Sequence, residues 1–142
     1  MLDVFGDAVV ENPFQNYLSY ENHLRDLVLN RHSGVFMQYC VGTKPGGTKH
    51  IIDVVSVDSK ILVSAKLQNV VGTAEEKIPY EQLMLQHACD TYGFNKAYIV
   101  CAGTGWRLLN YFTSEEYKNL IKTSKVELLK YEDFAKIIDE VG

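Results

Sequence analysis

Apolar and polar positions follow two different periods along this chain. From 14 to 31 the apolar residues Tyr17, Leu18, Leu24, Leu27 and Val28 recur at helical spacing, with Pro13 at a helix start and Asn12 as the candidate cap. The period then shortens. The runs VFMQYCV (35–41), HIIDVV (50–55), ILVSAK (61–66) and KAYIVCA (96–102) are rich in β-branched and aromatic residues and predict strands. Pro79 opens a second helix that stops at Gly93. Its stripe of Glu81, Met84, Leu85, Ala88 and Tyr92 turns Glu81 toward the core, with His87 at the surface. Thr113 and Glu116 form a capping box, with Phe112 and Tyr117 as its staple, and predict a helix to about Lys122. A short strand at 126–129 and an amphipathic helix at 131–141 complete the chain. The order α, β, β, β, α, β, α, β, α predicts one α/β domain over 1–142, built on a mixed sheet.

The strand pattern is broken in a way that a plain core does not require. Asp53 interrupts HIIDVV, and Ser64 and Lys66 interrupt ILVSAK. Polar groups inside apolar strands cost free energy unless they are paired or used. A two-residue turn at Asp58 and Ser59 sets Val55 opposite Leu62, Asp53 opposite Ser64 and Ile51 opposite Lys66. Asp53, Ser64 and Lys66 then share one sheet face. A carboxylate and an ammonium placed this way can hold a divalent cation and polarise a phosphate. A turn one residue longer would scramble the faces.

On these residues, Ile52-Asp53 followed by Ser64-Ala65-Lys66, the chain resembles the PD-(D/E)XK nuclease superfamily. The resemblance covers roughly 21–106. It implies a restriction-endonuclease-like mixed β-sheet core flanked by helices. It also implies an Mg²⁺-dependent DNA endonuclease, with Mn²⁺ able to substitute, of restriction, homing or junction-resolving type. Ser64 stands where the family pattern has its second acid. One restriction-endonuclease subgroup carries the same S-x-K with the acid moved to the following helix. Glu81, separated from Lys66 by fourteen intervening residues, resembles that migrated acid. Gln68 completes a K-x-Q pattern, and GTAEEKIPYE is similar to a run in restriction-type members. The implied catalytic set is Asp53, Lys66, Glu81 and Gln68. The implied metal ligands are Asp53, Glu81, the Ala65 carbonyl and Glu21, which resembles the glutamate on the first helix of many relatives. The residues alone leave alternatives: Glu21 can pair with Arg25, and Glu81 can be a first-turn acid stabilised by the helix dipole.

Composition alters this picture only in part. The formal charge of −4 gives no overall attraction to nucleic acid. The charge is uneven, however: 33–74 holds four lysines against two acids, whereas 114–142 holds seven acids. Lys44, Lys49 and Lys60 of this segment, with Lys77 just beyond it, are the candidate contacts to a DNA backbone. GTKPGGTK (42–49) lacks the Gly-Lys-Ser/Thr order of a phosphate loop and reads as a loop that could close on DNA. Gly103-Thr104-Gly105 is a turn, not a dinucleotide fingerprint, and Trp106 is a core residue. Three cysteines without close spacing fit a reducing, cytoplasmic compartment, with Cys89 and Cys101 as small core residues. No stretch has the length of a membrane span, and the first residues lack a signal-peptide pattern. One site per chain implies a homodimer or tetramer for cutting both strands of a duplex. The alternative function is a catalytically decayed DNA-binding or assembly protein on the same fold. A third is an interaction domain with Asp53 and Lys66 as a structural pair.

Overall fold

The computed structural model describes residues 14, 16–72 and 74–138. Helix α1 is Tyr17–Leu29, followed by strands β1 (Val35–Thr43), β2 (Lys49–Ser56) and β3 (Ile61–Leu67). A 3-10 turn (Ala74–Lys77) leads into α2 (Ile78–Tyr92). Strand β4 (Lys96–Ala102), short helices α3 (Leu109–Phe112) and α4 (Glu115–Ile121), strand β5 (Val126–Lys130) and helix α5 (Tyr131–Ile137) complete the order. The sheet runs β1-β2-β3-β4-β5. Its first three strands are antiparallel and its last three parallel, so it is the mixed α/β sheet the pattern predicts.

Both faces are covered. On one, α1 and α5 bury Tyr20, Leu24, Val28 and Phe134 against Val54, Val63, Ala65 and Val100. On the other, α2, α3 and α4 bury Leu85, Ala88, Phe112 and Tyr117 against Leu62, Ile99, Cys101 and Leu128. Parallel strands with helical crossovers require this two-sided cover. It explains why β4 is buried along almost its whole length. No helix among the described residues is long and apolar enough to cross a membrane.

The elements match the periodicity, with local corrections. The buried stripe of α1 is Tyr20, Leu24 and Val28, while Tyr17 and Leu18 are 47% and 65% exposed. Tyr20 goes inside because its hydroxyl donates to the Val100 carbonyl at 2.7 Å, which satisfies its polar tip. The observed cap is Asn16, accepting from the Ser19 N–H at 2.9 Å; Asn12 and Pro13 lie outside the described residues. The cap of α4 is Ser114, not Thr113. Thr113 instead ends α3, a helix of one turn too short for its period to be legible. The staple contact survives, with the Phe112 and Tyr117 rings 5.0 Å apart. The end of the last predicted helix, beyond Ile138, lies outside the described residues. His87 is half-buried rather than at the surface, with its Nδ1 unpartnered. Cys89 and Cys101 are buried, and Trp106 packs on the core with its indole N–H on the Ala102 carbonyl at 2.7 Å.

The loop after β3 is tied down more firmly than its composition indicates. Glu75 is buried, and its carboxylate accepts the N–H groups of Arg107 and Leu108 at 2.5 and 2.7 Å. Gly105 packs against the Val70 backbone so closely that a Cβ there would lie 2.3 Å from the Val70 carbonyl oxygen. The two loops at this end of the sheet are thus locked together. They fix where α2 begins, and hence where Glu81 sits.

Candidate active site

The β2–β3 hairpin has the register its turn chemistry predicts: Val55 faces Leu62 and Val54 faces Val63. The turn itself spans 57–60 rather than two residues, but the extra pair is symmetric and preserves the register. The ladder runs from Ser56↔Ile61 to Val54↔Val63 and then opens. Asp53 sits at the opening. Its Oδ2 accepts the Ala65 N–H at 2.7 Å, so a side chain takes the place of a strand carbonyl. This explains why a carboxylate is tolerated in the middle of a strand: a charge-assisted bond to a backbone N–H offsets part of its desolvation.

Ser64 and Lys66 project to the α2 side, where Glu81 meets both. The Lys66 ammonium lies 2.6 Å from Glu81 Oε2, and the Ser64 hydroxyl donates to Glu81 Oε1. The lysine and the glutamate are each largely withdrawn from solvent, with side chains 25% and 20% exposed. Burial works to lower the Lys66 pKa. Glu81 outweighs it through charge and hydrogen bonding, Asp53 adds to the pull, and the net pKa is raised. Lys66 is therefore held as an ammonium and contributes charge rather than a basic nitrogen.

Glu21 reaches the opening from α1. It makes no ion pair with Arg25, which binds Asp26 instead at 3.1 Å. Its Oε1 accepts from Gln38 Nε2 at 3.2 Å, and the same nitrogen donates to Asp53 Oδ1 at 3.3 Å. Burial first, then a hydrogen bond to the Asp53 carboxyl and repulsion from it, push the Glu21 pKa up to about 7, against the opposing influence of Gln38 and Lys66. Such a rise at a half-buried site marks crowded negative charge.

Three carboxylates, from Glu21, Asp53 and Glu81, thus surround the single ammonium of Lys66. Among the described residues no three His, Cys, Asp or Glu side chains close into one compact metal-binding group. Glu81 is turned onto Lys66 and Ser64, while Glu21 and Asp53 meet through Gln38. Asp53 thereby departs from the single shared face that strand alternation predicts. Alternation fails at this point in both strands. Ile52 packs on the α2 side and Val54 on the α1 side, and likewise Tyr39 and Val35 lie on opposite sides.

Other predicted residues fall elsewhere. Gln68 is buried and donates from Nε2 to the Gly105 carbonyl at 2.8 Å, with its Oε1 unpartnered. Its amide nitrogen is taken up by the loop contact. Ala65 shows its N–H in use, on Asp53. Lys44 lies 5.6 Å from the centre of the Tyr80 ring, beside the first turn of α2, and Lys49 and Lys77 are exposed. Lys60 is exposed at the opposite end of β3, about 20 Å of strand from Lys66. The candidate backbone contacts are therefore divided between two ends of the sheet.

Gln38 is the residue that pattern reading passed over. The flanking pairs Met37↔Val54 and Tyr39↔Ile52 set it opposite Asp53. The signal was present, since Gln38 interrupts VFMQYCV as Asp53 interrupts HIIDVV. Only the β1–β2 register connects the two.

A profile of the PD-(D/E)XK nuclease superfamily domain matches residues 9–138. The chain belongs to this superfamily, and its sheet is the restriction-endonuclease-like α/β core of the family. No curated protein and no solved structure matches it.

Proposed function

We propose that this superfamily member is a divalent-metal-dependent DNA endonuclease whose site is the opening between β2 and β3. The observation that carries the reading is the Lys66–Glu81 pair at 2.6 Å set beside two further carboxylates, Asp53 and Glu21. One ammonium against three acids leaves an excess of negative oxygen donors, which fits a hard divalent cation such as Mg²⁺. Asp53 and Glu21 are the residues that would hold it, with Glu81 available from α2. When bound, the ion lowers the pKa of a water molecule and neutralises charge on the scissile phosphate.

The remaining work belongs to the protein. Hydrolysis forms a bond from a water oxygen to phosphorus and breaks one phosphoester bond, and the leaving oxygen takes up a proton. Lys66, kept charged by Glu81, orients the attacking water and stabilises the negative charge that grows on the phosphoryl oxygens. The Ala65 N–H and the Gln38 amide fix the Asp53 carboxylate before substrate arrives. Ser64 holds Glu81 in place. Lys44, Lys49 and Lys77 are the backbone contacts in this reading, since Lys44 adjoins the first turn of α2 and Lys77 precedes it. A double-strand cut requires two sites and hence a symmetric oligomer.

Supercoiled plasmid and branched DNA incubated with Mg²⁺, Mn²⁺ or EDTA test the proposal. Cleavage in either metal, abolished by EDTA, supports it. Binding of DNA without cleavage in any metal turns the reading into that of a decayed, binding-only member. Ser64 in place of the second acid favours that second reading.

A further inference from the structure

Gln38 occupies a backbone conformation that its position does not require of a glutamine. It lies in the interior of β1 with φ +49°, the left-handed region, where a side chain with a Cβ is strained. It is exposed, so core packing does not select its side chain. Glycine or asparagine fills such a position at lower cost. The strain coincides with the place where β1 and β2 exchange faces, between Val35 and Tyr39 and between Val54 and Ile52. The one nitrogen of its amide donates to carboxylates from two other elements, Glu21 on α1 and Asp53 on β2.

We propose that Gln38 is a positioning residue that holds Glu21 and Asp53 toward a common divalent cation. The inference rests on the nuclease reading above. Without the amide, the two groups repel each other whenever both are charged, and nothing in common holds them together. With it, they remain side by side before any ion arrives, and the reorganisation needed on binding is reduced. The strained backbone is what aims the amide: at φ +49° the side chain emerges in the gap between α1 and β2. Strain kept at a functional centre and compensated by the surrounding fold is a known pattern.

The test compares wild type, Gln38→Gly and Gln38→Met by calorimetric titration with Mn²⁺ and by thermal unfolding without metal. Gln38→Gly keeps the left-handed turn without strain and removes both hydrogen bonds. Gln38→Met keeps length and strain but has no donor. The expected result is a fall in Mn²⁺ affinity of about tenfold or more in both variants, with the melting temperature of Gln38→Gly at or above wild type. Unchanged affinity in Gln38→Gly overturns the inference. So does a pair of variants that both fail to fold, because Gln38 is then a structural residue. Wild type that binds no Mn²⁺ removes the nuclease reading itself, an outcome distinct from either of these.

Discussion

Two lysine–glutamate pairs lie on this one sheet and look alike in isolation. Lys66 meets Glu81 at 2.6 Å near the end of β3, and Lys96 meets Glu127 at 3.4 Å at the start of β4. The side chains of the first are 25% and 20% exposed, those of the second 32% and 35%. The difference lies in what surrounds them. Lys96 has one carboxylate partner and, 5.7 Å away, the ring of Tyr98, so its charges balance. Lys66 has Glu81, and beyond it Asp53 and Glu21, so acid exceeds base. The Lys96–Glu127 arrangement is balanced in charge, and the cluster around Lys66 is not. A partly exposed balanced pair contributes roughly 0–1 kcal/mol to stability. An unbalanced cluster at a gap in the sheet costs stability, and a ligand can offset that cost.

Substitution of the two lysines breaks or sharpens this comparison most directly. Lys66→Ala and Asp53→Ala are expected to lower plasmid cleavage by about three orders of magnitude or more. Lys96→Ala should leave it unchanged. Circular dichroism should show all three variants folded. Equal losses for Lys66→Ala and Lys96→Ala would erase the distinction between the pairs.

A smaller but more specific effect concerns Glu81. Its removal should weaken Mn²⁺ binding by about one to two orders of magnitude together with activity. Ser64→Glu combined with Glu81→Ala should recover part of both, because strand and helix positions supply the same cluster. If the site has decayed, Glu81→Ala is silent and Ser64→Glu alone creates metal binding. Calorimetry on the four proteins separates these outcomes. A silent Glu81→Ala in an active enzyme would assign the missing acid to Glu21 or to the exposed Glu76.

The pH dependence follows from Glu21. Its carboxyl is raised from 4.5 to about 7, so below pH 7 it holds a proton that a cation must displace. Metal affinity should therefore rise as pH increases through about 7. Stability has the opposite sign. The contribution of a raised acid is fully present below its ordinary value and is lost as pH rises through about 7. The metal-free protein should thus melt lower at pH 8 than at pH 5, and Mn²⁺ should restore part of the loss. Glu21→Gln should flatten both trends, and a pH-independent affinity in wild type would remove Glu21 from the site.

The smallest expected effect is on the balanced pair. Lys96→Ala should shift the melting temperature by only a few degrees, in line with a partly exposed ion pair. A large drop would mean that this pair, too, is held in an environment of low dielectric.

Much of this arrangement was legible along the chain. The strands, the two long helices and the β2–β3 register follow from period and turn chemistry, which act between near neighbours. Asp53, Ser64 and Lys66 stood out because a polar group in an apolar strand has a cost that is visible locally. Tyr20 did not, because only the Val100 carbonyl, 80 residues away, makes its burial favourable. Gln68 carried the right spacing for a site residue, yet the close approach of the 103–105 loop claimed its amide.

The sequence by itself determined which residues could not rest as plain core, and so which stretch stands out as the candidate site. Only the tertiary structure decided which partners they have. Glu81 turns onto Lys66 because two loops lock the start of α2. Glu21 and Asp53 share an amide because the β1–β2 register brings Gln38 between them. The desolvation cost of a charge belongs to its own position. What offsets that cost depends on atoms that sequence order leaves far apart and only packing brings within a few ångströms.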